Sequence, residues 1–148
     1  MTVKDIMTTN LITIHPDTSL REITQLLLEN HISGLPVIDN AGNLVGIVSE
    51  GDLIYKEVAT QSPDTLSIIS ALIHSNGVQE YRNAANNILD LTAADIMSSK
   101  VVSFSPDTSI QRVGQIMLEF HIKRVPIIEG KKLVGIVSRA DIIRLLLK

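Results

Sequence analysis

The sequence predicts an α/β (α+β) fold: two β-α-β-β-α repeats packed as a pseudo-twofold pair, with a helical insert between them. Two observations carry this. The first is an ordered duplication. Asp5-Ile6-Met7 returns as Asp95-Ile96-Met97, Pro16-Asp17-Thr18-Ser19 as Pro106-Asp107-Thr108-Ser109, and His31-Ile32 and Pro36 as His121-Ile122 and Pro126, all 90 positions on. Leu44-Val45-Gly46-Ile47-Val48-Ser49 returns as Leu133-Val134-Gly135-Ile136-Val137-Ser138, and Asp52 as Asp141, 89 positions on. The slip falls in a turn, where Asn40-Ala41-Gly42-Asn43 shortens to Gly130-Lys131-Lys132. The second observation is the change of apolar period within each copy, from short β-branched runs to three-and-four spacing and back.

Each element has its own signal. Leu11-Ile12-Thr13-Ile14, ended by Pro16, reads as a first strand. Ser19 with Glu22 has capping-box spacing and opens a helix whose face carries Leu20, Ile23, Leu26 and Leu27, ending near Asn30-His31. A second strand covers Pro36–Asp39, a hairpin turn Asn40–Gly42, and a third strand Leu44–Val48, whose continuous apolar run predicts burial on both faces. Ser49-Glu50-Gly51-Asp52 leads into a last helix starting near Leu53. Copy two repeats the order: strand Val101–Phe104, helix Ser109–Phe120, strands Pro126–Glu129 and Leu133–Val137, helix Ala140–Leu147. Residues 55–91 do not repeat. Ser62-Pro63-Asp64 caps one predicted amphipathic helix, Asn76-Gly77 stops it, and a second runs from Val78 to Leu89. The expected division is repeat one at 1–58, insert at 59–91 and repeat two at 92–148.

Composition bounds the function. The 148 residues are 45% hydrophobic and carry a net charge of −3, with no long basic run and 3% aromatics, so neither a phosphate-binding footprint nor a base-stacking platform for nucleic acid is expected. Cysteine is absent, which excludes disulfides and thiolate zinc sites. No apolar run approaches a membrane span, so a soluble cytoplasmic protein without membrane contact is expected. Four His without ligand spacing argue against a metal site. There is no nucleophile elbow, Walker loop or Cys-His pair, which argues against an enzyme.

The recurring features are the Asp-Ile-Met opening, Pro-Asp-Thr-Ser before the first helix, the His-Ile segment leading to Pro36 and Pro126, and Gly-Ile-Val-Ser-x-x-Asp at 46–52 and 135–141. In this order the chain resembles a tandem pair of cystathionine-β-synthase (CBS) domains, a Bateman module, over roughly 1–58 and 92–148. The resemblance implies a non-catalytic regulatory module that binds an adenine nucleotide (AMP, ADP or ATP) or a related compound such as S-adenosylmethionine or NAD between the two copies. It would need no cofactor, and would signal through conformation or assembly. It also implies a homodimer acting on an unidentified regulated protein. Asp52 and Asp141 would accept the ribose hydroxyls, and Ser49 and Ser138 would contact ribose or phosphate. Thr13, Ile14, Gly34, Leu35 and Pro36, then Ser103, Phe104, Arg124, Val125 and Pro126, would hold the adenine.

The residues themselves are compatible with these roles. A carboxylate is an acceptor for two hydroxyls, and a Gly inside a strand (Gly46, Gly135) leaves room for close approach. The N-terminus of the last helix offers N–H groups to phosphate. Copy two carries Lys123, Arg124 and Arg139 where copy one has Ser33, Gly34 and Glu50. Guanidinium forks suit phosphate, so the copy-two half-site is expected to hold a phosphorylated ligand more tightly. Each feature also has a plain structural reading: Ser-x-x-Asp as a helix capping box, His31 and His121 as helix-end residues, Met7 and Met97 as gap fillers, Pro36 and Pro126 as strand starts. Two other functions compete: a protein-interaction scaffold with a non-functional cleft, and a nucleotide-processing enzyme built on the two Asp.

Overall fold

A computed structural model describes residues 1–54 and 89–148. The two helices predicted for 62–76 and 78–89 lie outside them, save the last residue of the second. Each repeat presents a ten-residue helix, a β-hairpin and a short helix. In chain order the elements are a 3₁₀ turn (Val3–Asp5) that opens repeat one, α1 (Leu20–Glu29), β1 (Gly34–Ile38), β2 (Leu44–Ser49), a last helix starting at Glu50, then α2 (Ala93–Ile96), which opens repeat two, α3 (Ile110–Glu119), β3 (Arg124–Glu129), β4 (Lys132–Ser138) and α4 (Arg139–Ile143). Strands β1 and β2 pair with each other, as do β3 and β4. The second pair is antiparallel, running from Arg124 opposite Ser138 to Glu129 opposite Lys132, with an irregularity after Ile127.

The chain divides into two compact units that cut across the repeats. The first comprises Met1–Thr13, Ile38–Gly46 and Ser99–Lys148; the second comprises Ile14–Val37 and Ile47–Ser98. The opening segments are therefore exchanged. In the first unit Val3 N–H donates to Thr108 C=O (2.9 Å), Lys4 N–H to Pro106 C=O (3.1 Å), and Thr8 and Ile136 exchange both backbone bonds. In the second, Ala93 N–H donates to Thr18 C=O and Ala94 N–H to Pro16 C=O (both 2.8 Å), and Ser98 and Ile47 exchange both bonds. The motif Asp-Ile-Met thus begins each repeat in sequence but packs on the helix and strands of the other one.

The first unit's core is Val3, Ile110, Val113, Met117, Val125, Ile127 and Val137, with Met7, Phe104 and Ile142 among the half-buried residues packed on it. The second unit buries Ile14, Leu20, Ile23, Leu27, Leu35, Val37, Val48 and Ala93. These are the positions that three-and-four spacing and strand alternation select. Ser19 and Ser109 cap their helices from outside, accepting from the N–H of Glu22 (3.2 Å) and Arg112 (3.3 Å), so α3 begins at Ile110 rather than Ser109.

Four expectations need correction. The predicted first strands shrink to single rungs: Ile14 beside Val37 and Phe104 beside Ile127, both parallel. Phe104 N–H donates to Pro126 C=O and its carbonyl accepts from Ile128 N–H. The next donor along that edge would be the nitrogen of Pro126, which bears no hydrogen, so the ladder stops. Pro36 and Pro126 stand at the third position of their strands rather than the first. Finally, β2 is not buried on both faces: Gly46 and Val48 are buried while Val45 and Ile47 are half-buried, the alternation of a one-faced strand. The last helices begin at Glu50 and Arg139, earlier than the periodicity suggests, because Ser49 and Ser138 cap them; after Ile143 the second tightens to a 3₁₀ turn over Arg144–Leu147.

Both long helices close in the same way. His31 and His121 have φ of 52° and 55°, the left-handed region. Ile32 N–H reaches back to Leu27 C=O (3.1 Å) and Ile122 N–H to Met117 C=O (2.9 Å), the six-to-one bond of a Schellman ending. A non-glycine residue there carries a steric cost. His31→Gly and His121→Gly are each expected to stabilise the chain by up to about 1 kcal/mol, read as an upward shift of the urea midpoint.

Candidate functional site

The copy-two candidates converge at one end of the β3–β4 hairpin. Phe104 is bonded to Pro126, Arg124 is the register partner of Ser138, and Arg139 N–H donates to Lys123 C=O at 3.0 Å. Ser103 is half-buried, Val125 and Pro126 are fully buried, and Lys123 is exposed. The copy-one candidates in the second unit are arranged alike: Ile14 N–H donates to Pro36 C=O (3.0 Å) and Glu50 N–H to Ser33 C=O (2.9 Å), with Gly34, Leu35 and Pro36 buried. Thr13 is half-buried and closes the N-terminal segment counted with the first unit. The side chains of Leu35 and Val125 belong to the cores, so only their backbone is available to a ligand.

Ser-x-x-Asp is a capping box in both copies. Asp141 Oδ2 accepts from Ser138 N–H (2.7 Å) and from the Ser138 hydroxyl (2.8 Å), while that hydroxyl accepts from Asp141 N–H (3.3 Å). Asp52 Oδ2 accepts from Ser49 N–H (2.8 Å) and the Ser49 hydroxyl (3.0 Å), which accepts from Asp52 N–H (3.3 Å). The box holds each carboxylate in a fixed pose and leaves Oδ1 outside it. It also commits the serine proton, so each hydroxyl can meet a ligand only as an acceptor. The same box recurs at Thr2–Asp5 and Thr92–Asp95, where no Gly-Ile-Val strand precedes it. At Asp5 the Thr2 N–H holds the carboxyl below its ordinary pKa.

Three arrangements escaped the sequence reading. The Arg139 guanidinium lies on the end of α3, Nε donating to Ile122 C=O (2.9 Å) and Nη2 to Met117 C=O (3.2 Å). Arg144 donates to Asp141 Oδ1. The gap over Gly135 is filled by protein: a Cβ on Gly135 would stand 2.5 Å from Met7 Sδ and 3.2 Å from Met7 Cβ. Met7 was legible as a gap filler, and Gly135 as a point of close approach, but nothing local linked them. Among the described residues no cluster of His, Asp or Glu could hold a metal, and no helix is long and apolar enough to cross a membrane.

The sequence and the fold resemble those of known proteins. The CBS domain family model matches residues 3–58 and 93–148. The chain belongs to the CBS-domain family, as a tandem pair. An uncharacterized protein of Methanocaldococcus jannaschii, MJ1426, is 32% identical over 99% of this chain and 92% of its own length. Other relatives are longer: the chain spans 31% of a second protein of that archaeon and 63% of a chloroplastic one from Arabidopsis thaliana. Among solved structures, CBSX2 of Arabidopsis thaliana in complex with AMP superposes with a TM-score of 0.73 at 28% identity, covering 99% of this chain and 96% of that one. The CBS domain pair of MJ0100 in complex with 5′-methylthioadenosine and S-adenosyl-L-methionine gives the same score and identity, covering 99% and 95%. The CBS pair and its α+β fold are thereby as the sequence predicts.

Proposed function

We propose that this CBS pair is a non-catalytic regulatory module for an adenosyl ligand, with AMP, ADP, ATP and S-adenosylmethionine as the leading chemistries and NAD as a further one. Asp52 and Asp141 hold the ribose. The observation that carries the reading is the duplicated box, which presents one carboxylate oxygen outside the cap at the same place in each copy. Hydroxyl-to-carboxylate bonds are charge-assisted and contribute about 1.5–3 kcal/mol where sheltered. The AMP and S-adenosylmethionine complexes of the CBS-pair neighbours support the ligand class. The signal passes by conformational or oligomeric change to a protein partner in the cytoplasm. Exposed Ile143, Leu146 and Leu147 at the C-terminus are compatible with a homodimer.

Thermal unfolding with AMP, ADP, ATP, NAD, S-adenosylmethionine and 5′-methylthioadenosine tests this. A ligand at one hundred times its dissociation constant is expected to stabilise by about 2.7 kcal/mol, and sedimentation of the same samples reads any change of assembly. No shift with any of the six would discard the proposal in favour of the scaffold reading; turnover of a nucleotide would favour the enzyme.

A further inference from the structure

The two carboxylates are held alike but are not equally open. Oδ2 of each receives the N–H and hydroxyl of its serine, which fills that oxygen. Only Oδ1 is left for an outside donor. At Asp141 the Arg144 guanidinium already donates to it. The Asp141 side chain is 10% exposed and that of Arg144 68%, so an arm from the surface reaches over an otherwise sheltered acceptor. Counted 89 positions back, the place of Arg144 is taken by Tyr55, which has no cationic group. Among the described residues, Oδ1 of Asp52 accepts no hydrogen bond.

We infer that Arg144 is a specificity-determining residue: it limits Asp141 to one incoming hydroxyl, so that the Asp52 half-site is the one that reads a complete cis-diol. The inference rests on the adenosyl reading above. A carboxylate oxygen offers two acceptor positions. At Asp52 both positions on Oδ1 serve the 2′- and 3′-hydroxyls of a ribose. At Asp141 one is held by Arg144, and the second hydroxyl is received only if the ion pair opens. An exposed pair on one helical turn is a weak latch, so the discrimination is about two- to fivefold in affinity rather than absolute. The cationic richness of copy two then acts against ribose recognition at this point, whatever it does for phosphate elsewhere.

The probes are adenosine and 2′-deoxyadenosine, which are uncharged and keep phosphate out of the comparison. Calorimetry uses the full chain as D52N, which leaves the Asp141 half-site, and as D141N, which leaves the other. Asn keeps an oxygen for the cap. The penalty for losing the 2′-hydroxyl is expected to be about two- to fivefold larger in D141N than in D52N. Adding R144A to D52N is expected to tighten adenosine and raise its 2′-deoxy penalty to the D141N value. Raising salt from about 0.05 to 0.5 M screens the ion pair and is expected to tighten adenosine in D52N but not in D52N/R144A. Arg144→Ala in the otherwise unaltered chain gives the same comparison with both caps intact. Equal penalties in the two half-sites, or an R144A change that leaves adenosine affinity and its salt dependence unmoved, overturns the role of Arg144. Wild-type protein that binds neither adenosine nor any of the six compounds above overturns the adenosyl reading, and this inference with it; binding of those compounds without binding of adenosine overturns this inference alone.

Discussion

Gly135→Val is expected to lower the unfolding free energy by about 1–3 kcal/mol, the usual cost of forcing extra methyl groups into a filled space. Met7→Ala in the same chain should recover most of the loss. The backbone at Gly135 is ordinary extended strand, so conformational freedom is not what the position needs. It needs room. The whole proximal part of Met7, from Cβ to Sδ, lies where a new side chain would go, and the methionine cannot yield by turning its tip alone. Moving Met7 also strains Thr8, whose two backbone bonds to Ile136 sit one residue further along the same strand. The first event in the variant should therefore be release of the N-terminal segment. Hydrogen exchange would show lost protection at Val3, Lys4 and Thr8 before β4 is affected. A variant as stable as wild type, with Met7 unmoved, would rule out the packing account.

Ile127→Ala is expected to cost about 2–5 kcal/mol in a denaturant titration. Ile127 is fully buried, lies opposite Gly135 on β4, and is the residue on which Phe104 forms its single parallel rung. Truncating it opens a cavity among Val113, Met117, Val125 and Val137, which hold fixed positions on a helix and two strands and can close in only partly. Leu146→Ala is the control: its side chain is 84% exposed, and the change should stay within about 0.5 kcal/mol in the monomer. Because domains of this size rest on a margin of about 5–15 kcal/mol, the Ile127 change alone should remove a large part of it. A loss below 1 kcal/mol would mean that the β3 rung is not the centre of the first unit.

What the sequence made legible is local. Serine caps, apolar spacing, the hairpin turn and the Ser-x-x-Asp box are decided within a few residues, and their places in the structure follow from chemistry that acts over one helical turn or one strand pair. The box was also where two readings met: the geometry shows the capping one, which uses Oδ2 and the backbone and does not engage Oδ1. The first strands fall short of their β-branched runs because such runs report a preference for extended backbone, not whether a partner strand has hydrogens to offer; Pro36 and Pro126 withhold them. The exchange of opening segments had no local signature. Asp-Ile-Met beside its own repeat and Asp-Ile-Met beside the other have the same periodicity; tertiary contacts tell them apart, the backbone bonds of Val3, Thr8, Ala93 and Ser98 and the notch at Gly135 matched to Met7. Arg144 lacks a local signature for a similar reason: a basic residue three positions after an acid is common on helices, and its significance depends on which oxygen the cap leaves over.

The exchanged openings also bear on how such a chain can be made. In the first unit the N–H groups of Val3 and Lys4 find their acceptors beyond the hundredth residue, at Thr108 and Pro106. Closing that contact joins the most distant parts of the chain, a topology of high contact order that folds slowly. During synthesis the amino-terminal strap leaves the ribosome long before its docking surface exists, and waits unpaired until the carboxy-terminal half follows. Splitting the gene between the repeats would consequently sever each half from its own lid, so that neither product is a self-sufficient folding unit although each carries a complete copy of the repeat.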